Sequence, residues 1–170
     1  MSKISAFLKF AAVGSILLLA ACTDKPKAVE TAPPPNSMSS STTSSIVPGS
    51  AEDLRVNVGD TVHFDYDAYN ITDEGRSVLQ RQAAWLAKYP SVRVTVEGHC
   101  DERGTREYNL ALGARRANSV KEYLVSVGVS AGRVDTISYG KERPICTESD
   151  EGCYAQNRRG VTTITGGANS

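Results

Sequence analysis

Residues 92 to 127 read VRVTVEGHCDERGTREYNLALGARRANSVKEYLVSV, and their hydrophobic periodicity changes once, at a polar loop in the middle. Before the loop, valines alternate with polar residues, which is typical of a half-buried strand. After the loop, apolar residues recur at helical spacing from about Arg106 to Val127, and Gly128 provides a termination signal. The stretch therefore predicts a strand that leads directly into a long helix.

Comparable elements are predicted on both sides of this unit. They are a strand at residues 61 to 66, a helix from Thr72 to Lys88, a strand at 134 to 139, a short helical turn at 153 to 158 and a last strand at 161 to 165. Thr72 suits the start of its helix, because its hydroxyl can accept a hydrogen bond from a free backbone N–H. The order β-α-β-α-β-(α)-β predicts an α/β two-layer sandwich, with the helices packed on one mixed sheet.

The N-terminal residues 1 to 21 have the pattern of a secretory signal. Lysines precede a short apolar run, AAVGSILLLAA, which is too short to span a bilayer comfortably. The run ends at Leu19-Ala20-Ala21-Cys22, which resembles the lipobox of bacterial lipoproteins and implies that Cys22 becomes the acylated first residue of the mature chain. The alternative is an ordinary signal followed by a chance cysteine. Several acyl chains on one residue would hold the protein at a membrane without crossing it.

Composition divides the rest of the chain into a linker and one domain. Residues 22 to 52 are rich in proline, serine and threonine and hold few bulky apolar side chains, so a disordered linker is predicted there. Residues 53 to 170 are enough for one modest core. Removal of residues 1 to 21 takes away Lys3 and Lys9, which leaves 17 basic and 19 acidic residues. This balance gives no electrostatic case for binding nucleic acid.

Cysteine spacing suggests one disulfide. Cys146 and Cys153 flank the polar loop TESDEG, and in an exported protein this arrangement favours a bridge between them. A metal site formed by the pair is the alternative, although the sequence places no histidine nearby. Cys100 lies an even number of positions after Val92, Val94 and Val96, and strand side chains alternate between the two faces of a sheet. We therefore expect Cys100 to face the covered side of the sheet as a small hydrophobic residue.

One arginine interrupts the packing face of the long helix. Leu112, Arg116, Val120 and Leu124 are four residues apart and share that face. An unpaired charge there would be expensive. We therefore expect Arg116 to meet a carboxylate, either from a ligand or from Asp101 at the end of the preceding strand.

Four segments carry a recognisable pattern. They are YDAYNITDEG at 66 to 75, VTVEGHCDERGTREYNLALGARRANSVKEYL at 94 to 124, ISYGKERP at 137 to 144 and YAQNRRGVTTI at 154 to 164. Their core signature is Asn109-x-x-Leu112-Gly113-x-x-Arg116-Ala117-x-x-Val120-x-x-x-Leu124. Together they resemble the OmpA-like peptidoglycan-binding domain family, and within it the domains of envelope lipoproteins.

This resemblance implies a non-covalent binder of the cell wall. Asp101 and Arg116 would bind the diaminopimelate of the peptidoglycan stem peptide, and Tyr66, Asp67 and Leu112 would line the same pocket. Diaminopimelate carries ammonium and carboxylate groups, so Asp101 would take an ammonium and Arg116 would clamp a carboxylate through two parallel hydrogen bonds.

The resemblance also implies a tether that is not an enzyme. The acylated N-terminus would lie in the outer membrane and the domain would face the periplasm. Its partners would be peptidoglycan and the Tol system, with a TolB-like periplasmic protein and TolA as candidates, in envelope integrity and cell division. The residues call for no cofactor, and a metal site is not expected because His63 and His99 lie on different predicted strands.

The alternative function is a cell-wall hydrolase. It would use carboxylates such as Glu97, Asp101 and Glu102, although a domain of this size leaves little room for a glycan groove. Other charged residues are interpreted either as partner contacts or as a solvated rim. They are Arg103, Glu107, Arg158 and Arg159.

Overall fold

The computed structural model of the chain describes residues 46 to 169. The predicted signal peptide, the acylation site Cys22 and most of the predicted linker lie outside the described residues. Within residues 46 to 169, no helix combines the length and the apolar character needed to cross a membrane.

A mixed sheet, four-stranded over the described residues, forms one layer of the domain. Its strands are β1 (Thr61–His63), β2 (Arg93–His99), β3 (Val134–Gly140) and β4 (Arg159–Gly166). They lie in the order β1-β4-β2-β3, with β2 and β3 parallel and the other neighbours antiparallel. A parallel pair needs a crossover connection, and the long helix after β2 provides it.

The helices of the described region form the other layer. They are α1 (Ala51–Asp53), which continues into a π-helical turn at Leu54–Val58, α2 (Asp73–Lys88), α3 (Arg106–Ser126) and α4 (Glu151–Asn157), with a 3₁₀ turn at Ala131–Arg133. Helices α2, α3 and α4 start at Thr72, Thr105 and Asp150, whose side chains accept a backbone N–H at 3.1, 3.2 and 2.8 Å. Each such cap contributes about 1 kcal/mol. The predicted α/β fold with helices on one mixed sheet is confirmed.

The core lies between the sheet and helices α2 and α3. Its fully covered side chains come from both layers: Leu79, Leu86, Val94, Val96, Ala117, Val120, Leu124 and Val134. Burial of one such larger aliphatic side chain contributes about 1.5–3 kcal/mol. The alternating valines of β2 therefore attach α3 to the strand that precedes it.

Two glycines allow α3 to lie very close to β2. A Cβ at Gly98 would stand 1.8 Å from the carbonyl oxygen of Gly113, so no larger residue fits without moving the helix. This contact fixes the first half of α3 at the carboxyl end of β2. It places Arg116, one turn further along the helix, beside the loop that follows the strand.

The folded region starts before residue 53, where the predicted linker was expected to end. The backbone N–H of Gly49 donates to the Asp53 carboxylate at 2.8 Å, and the Trp85 indole donates to the same carboxylate at 2.9 Å. The hydrogen bond from Gly49 is the largest influence on Asp53, and those from Asn57 and Trp85 add to it, so its pKa is lowered. A linker extending to residue 52 is therefore wrong at its end, because this buried carboxylate holds the chain against α2.

The strand predicted at 61 to 66 is shorter, since β1 ends at His63. Beyond it, the backbone bonds to arginine residues and no longer to a neighbouring strand. Phe64 N donates to the carbonyl of Arg158 at 2.9 Å, and the carbonyl of Asp65 accepts from the Arg116 guanidinium at 3.1 Å. Asp67 then adopts a left-handed backbone conformation with φ of 54°. Residues 64 to 72 thus form a loop at the carboxyl end of β2.

Candidate functional site

A cavity of about 260 Å³ lies where the loop after β1, the loop after β2 and the start of α3 meet. All five residues predicted to contact peptidoglycan line it: Tyr66, Asp67, Asp101, Leu112 and Arg116. The remaining lining residues are Cys100, Arg103, Gly104, Tyr108 and Asn109. The structure therefore brings the predicted residues together, although they come from separate parts of the chain.

Arg116 is completely buried, and its guanidinium binds backbone carbonyls. Its Nε, Nη1 and Nη2 atoms donate to the carbonyls of Ala68, His99 and Asp65 at 2.8, 2.9 and 3.1 Å. The expectation of a carboxylate partner within the protein is thus wrong for the described residues, because the two loops supply carbonyl acceptors in its place. Burial is the main cause that lowers the pKa of Arg116. A guanidinium has five N–H donors, and these three carbonyls use three of them.

Asp101 is also buried, but its partners are other arginines. Its Oδ1 accepts from the backbone N and the Nε of Arg103 at 3.1 and 3.2 Å, and its Oδ2 accepts from Arg103 Nη2 at 2.6 Å. Arg158 Nη1 reaches the same Oδ2 at 3.4 Å. Burial acts to raise the pKa of Asp101, but the hydrogen bonds from Arg103 and Arg158 outweigh it and the pKa is lowered.

Arg103 is stacked between two aromatic rings. Its guanidinium lies 4.2 Å from the ring centre of Tyr66 and 4.3 Å from that of Tyr154. Glu151, at the start of α4, is 3.4 Å from Arg103 and 2.7 Å from Arg158. Two arginines and two carboxylates therefore form one ion-pair cluster at the edge of the cavity.

The loop after β1 is held by Tyr108 on its exposed side. The hydroxyl of Tyr108 donates to the carboxylate of Asp67, the residue with left-handed backbone. On the buried side, the Arg116 guanidinium donates to the carbonyls of Asp65 and Ala68 in the same loop. Tyr66 stays largely exposed at the rim, whereas Leu112 is buried in the cavity floor.

The disulfide predicted between Cys146 and Cys153 is present, with Cα atoms 5.2 Å apart. Just beyond it, Tyr154 donates to Glu102 at 2.8 Å, and Ser149 inside the bridged loop donates to the same carboxylate oxygen at 2.7 Å. The bridged segment is thereby fastened to the loop that carries Asp101.

His99 is the last residue of β2, and Cys100 follows it directly. Cys100 is buried with a free thiol, as its parity predicts; the thiol donates to the carbonyl of Asn109 at 3.3 Å, and burial raises its pKa. His99 lies beside Glu97, with Nε2 3.5 Å from the carboxylate, and it is buried. Among residues 46 to 169, no group of three or more potential ligands could hold a metal ion.

Several residues of the site were not identified from the sequence. Arg103 and Arg158 were interpreted as partner contacts or a solvated rim, but both join Asp101, and Arg158 and Arg159 are buried. Tyr108 and Asn109 were also missed as lining residues. Their positions at the start of α3, facing the loop with Asp101, were the available signal.

Comparison with known proteins supports the resemblance found in the sequence. A model of the OmpA family matches residues 63 to 158. The chain is 51% identical over 154 residues to the peptidoglycan-associated lipoprotein of Rhizobium meliloti (strain 1021), covering 91% of this chain and 85% of that protein. It is 49% identical over 150 residues to the peptidoglycan-associated lipoprotein of Agrobacterium fabrum, covering 88% of this chain and 83% of that protein.

The fold agrees with a solved structure of the same class. The crystal structure of the peptidoglycan-associated lipoprotein from Burkholderia pseudomallei superposes with a TM-score of 0.61 at 40% identity, covering 62% of this chain and 90% of that chain. The fold and the site define an OmpA-like domain. The chain belongs to the OmpA family and, within it, to the peptidoglycan-associated lipoproteins.

Proposed function

We propose that this domain binds peptidoglycan non-covalently through the diaminopimelate residue of the stem peptide. The observation that carries the proposal is the cavity that collects Asp101 and Arg116, both buried, at the carboxyl end of β2. A buried carboxylate and a buried guanidinium at one opening suit a ligand that has both an ammonium and a carboxylate.

Each predicted contact has a chemical role in this proposal. The ammonium binds the Asp101 carboxylate, and a carboxylate accepts the N–H donors of Arg116 that the backbone carbonyls leave free. Leu112 supports the aliphatic chain of the ligand. Tyr66 and Asp67 close the rim on the side of the loop after β1.

The domain then acts as one end of a tether. With Cys22 acylated and residues 23 to 45 as a spacer, the protein links the outer membrane to the wall from the periplasmic side. The proposed partners are peptidoglycan and the Tol-Pal system, with a TolB-like periplasmic protein and TolA, during maintenance of the envelope and cell division.

The proposed activity is binding without hydrolysis. A wall-cleaving glycosidase needs a carboxylic acid with a raised pKa. The pKa of Asp101 is lowered, and hydrogen bonds from Ser149 and Tyr154 lower that of Glu102 as well. Both shifts are opposite in direction to the one that a general acid requires.

Binding to insoluble peptidoglycan sacculi tests the proposal. The detergent-solubilised full chain is sedimented with sacculi as wild type, as Asp101→Asn and as Asp73→Asn, where the control aspartate is exposed on α2. Loss of a charge-assisted contact of about 1.5–3 kcal/mol should weaken binding of Asp101→Asn about tenfold to a hundredfold. The Asp73→Asn protein should bind like wild type. Equal sedimentation of all three proteins, or release of soluble wall fragments by the wild type, would contradict the proposal.

A further inference from the structure

The carboxylate of Asp101 has no free acceptor position. A carboxylate offers about four lone-pair sites. Arg103 fills three of them with its backbone N, Nε and Nη2, and Arg158 Nη1 fills the fourth. An ammonium group can therefore reach Asp101 only if one of these donors leaves.

Arg103 is the donor that can move. The side chain of Arg158 is 8% exposed, and it also donates to the carbonyl of Phe64 at 3.0 Å and pairs with Glu151. The side chain of Arg103 is 34% exposed and lines the cavity. One of the two rings that enclose it belongs to the exposed Tyr66, so the guanidinium has an outward path.

Charge balance then limits which ligand can displace it. Asp101, Glu151, Arg103 and Arg158 together are neutral. A lone ammonium would add an uncompensated positive charge to a partly buried cluster, which is unfavourable. A group with an ammonium and an adjacent carboxylate keeps the cluster neutral, since the carboxylate can pair with the displaced guanidinium.

We propose that Arg103 is a specificity-determining residue, which occupies Asp101 until a ligand group bearing both an ammonium and a carboxylate exchanges with it. The ammonium takes the acceptor sites on Asp101, and Arg103 turns to bind the ligand carboxylate. The inference rests on the proposed function. It adds that the site rejects simple amines, such as the lysine side chain, through Arg103.

Calorimetric titration with two synthetic stem tripeptides tests the exchange. The peptides are L-Ala-γ-D-Glu-meso-diaminopimelate and the same peptide with L-lysine, which differ by one carboxylate. Wild type should prefer the diaminopimelate peptide. Arg103→Gln should reduce this preference about tenfold, because the cation that pairs with the extra carboxylate, and that competes for Asp101, is gone. Arg103→Lys keeps a cation and should retain part of the preference.

Arg106→Gln is the matched control, because Arg106 lies near the same loop but is 72% exposed and pairs with Glu142 outside the cavity. It should leave the ratio of the two affinities unchanged. If Arg103→Gln, folded by circular dichroism, keeps the wild-type ratio or loses both affinities equally, the inference is wrong while the proposed function stands. If wild type does not bind the diaminopimelate peptide, or if Asp101→Asn binds it equally well, the proposed function and the inference fail together.

Discussion

Replacement of His99 by phenylalanine should flatten the pH dependence of stability. His99 is 2% exposed, and neither ring nitrogen has a hydrogen-bond partner among residues 46 to 169. Burial, with smaller contributions from the charges of Arg159 and Arg143, lowers its pKa from 6.5 to about 4. Glu97 lies 3.5 Å from Nε2 and would favour the imidazolium, but it also interacts with Arg159. The ring of Tyr139 covers the imidazole from a centroid distance of 5.5 Å.

The sign of the effect follows from which state binds the proton more tightly. The unfolded chain protonates His99 near pH 6.5, whereas the folded chain does so only near pH 4. The cost of protonating the buried His99 in the folded state hardly affects stability at pH 7, and it grows as the pH falls from about 6.5 to about 4. It should remove about 2 kcal/mol of unfolding free energy between pH 7 and pH 5, and about 3 kcal/mol once both states are protonated.

Urea unfolding at pH 7 and pH 5, followed by the fluorescence of Trp85, measures this difference. Between pH 7 and pH 5, the free energy of unfolding of the His99→Phe protein should fall by about 2 kcal/mol less than that of the wild type. At pH 7 it should be at least as stable, since two buried nitrogen atoms without partners are removed. His63→Gln, at an exposed position on β1, controls for the loss of a histidine. Equal losses for wild type and His99→Phe would refute the reasoning.

Two further experiments test the packing and the covalent bridge. Gly98→Ala would place a Cβ 1.8 Å from the carbonyl oxygen of Gly113 and should lower the free energy of unfolding by at least about 3 kcal/mol. Gly132→Ala is the control, because a Cβ there meets nothing within 4 Å, and it should change the free energy of unfolding by less than about 1 kcal/mol. Similar urea midpoints for the two variants would contradict the packing argument. The double substitution Cys146→Ser and Cys153→Ser removes a disulfide with a sequence separation of 7 and should lower the free energy of unfolding by about 2.5 kcal/mol in the same titration. An unchanged urea midpoint would show that the disulfide does not stabilise the fold.

The order of the elements could be predicted because each one is encoded locally. Alternating valines define β2, and the spacing of apolar residues after Thr105 defines α3, so both the strand and the helix face were predicted from the sequence. The disulfide could also be predicted, because its two cysteines are only 7 positions apart in the sequence. These features need only the periodicity and spacing of a short segment.

The partners of the charged residues depend on contacts between distant segments. Arg116 binds the backbone carbonyls of Ala68 and Asp65, which lie 48 and 51 positions earlier in the chain. No sequence pattern shows which carbonyl a buried arginine will bind. Arg103 is stacked on Tyr154, which only the folding of α4 brings near. The sequence predicted a carboxylate partner for Arg116, whereas the folded loop after β1 supplies two of the carbonyls that it binds.

The contacts of Arg116 also decide which substitution can separate folding from binding. Its three carbonyl acceptors belong to the end of β2 and to the loop that carries Tyr66 and Asp67. Truncation of Arg116 would leave buried carbonyls without donors and release this loop, so stability and binding would be lost together. Asp101→Asn has nearly the same shape and removes the charge that an ammonium ligand needs. It keeps one acceptor oxygen for the arginines, while its NH2 group faces the donors that the second oxygen accepts from in the wild type. A loss of binding in that variant reports on recognition of the ligand when its urea midpoint, measured beside binding, shows that the domain is still folded.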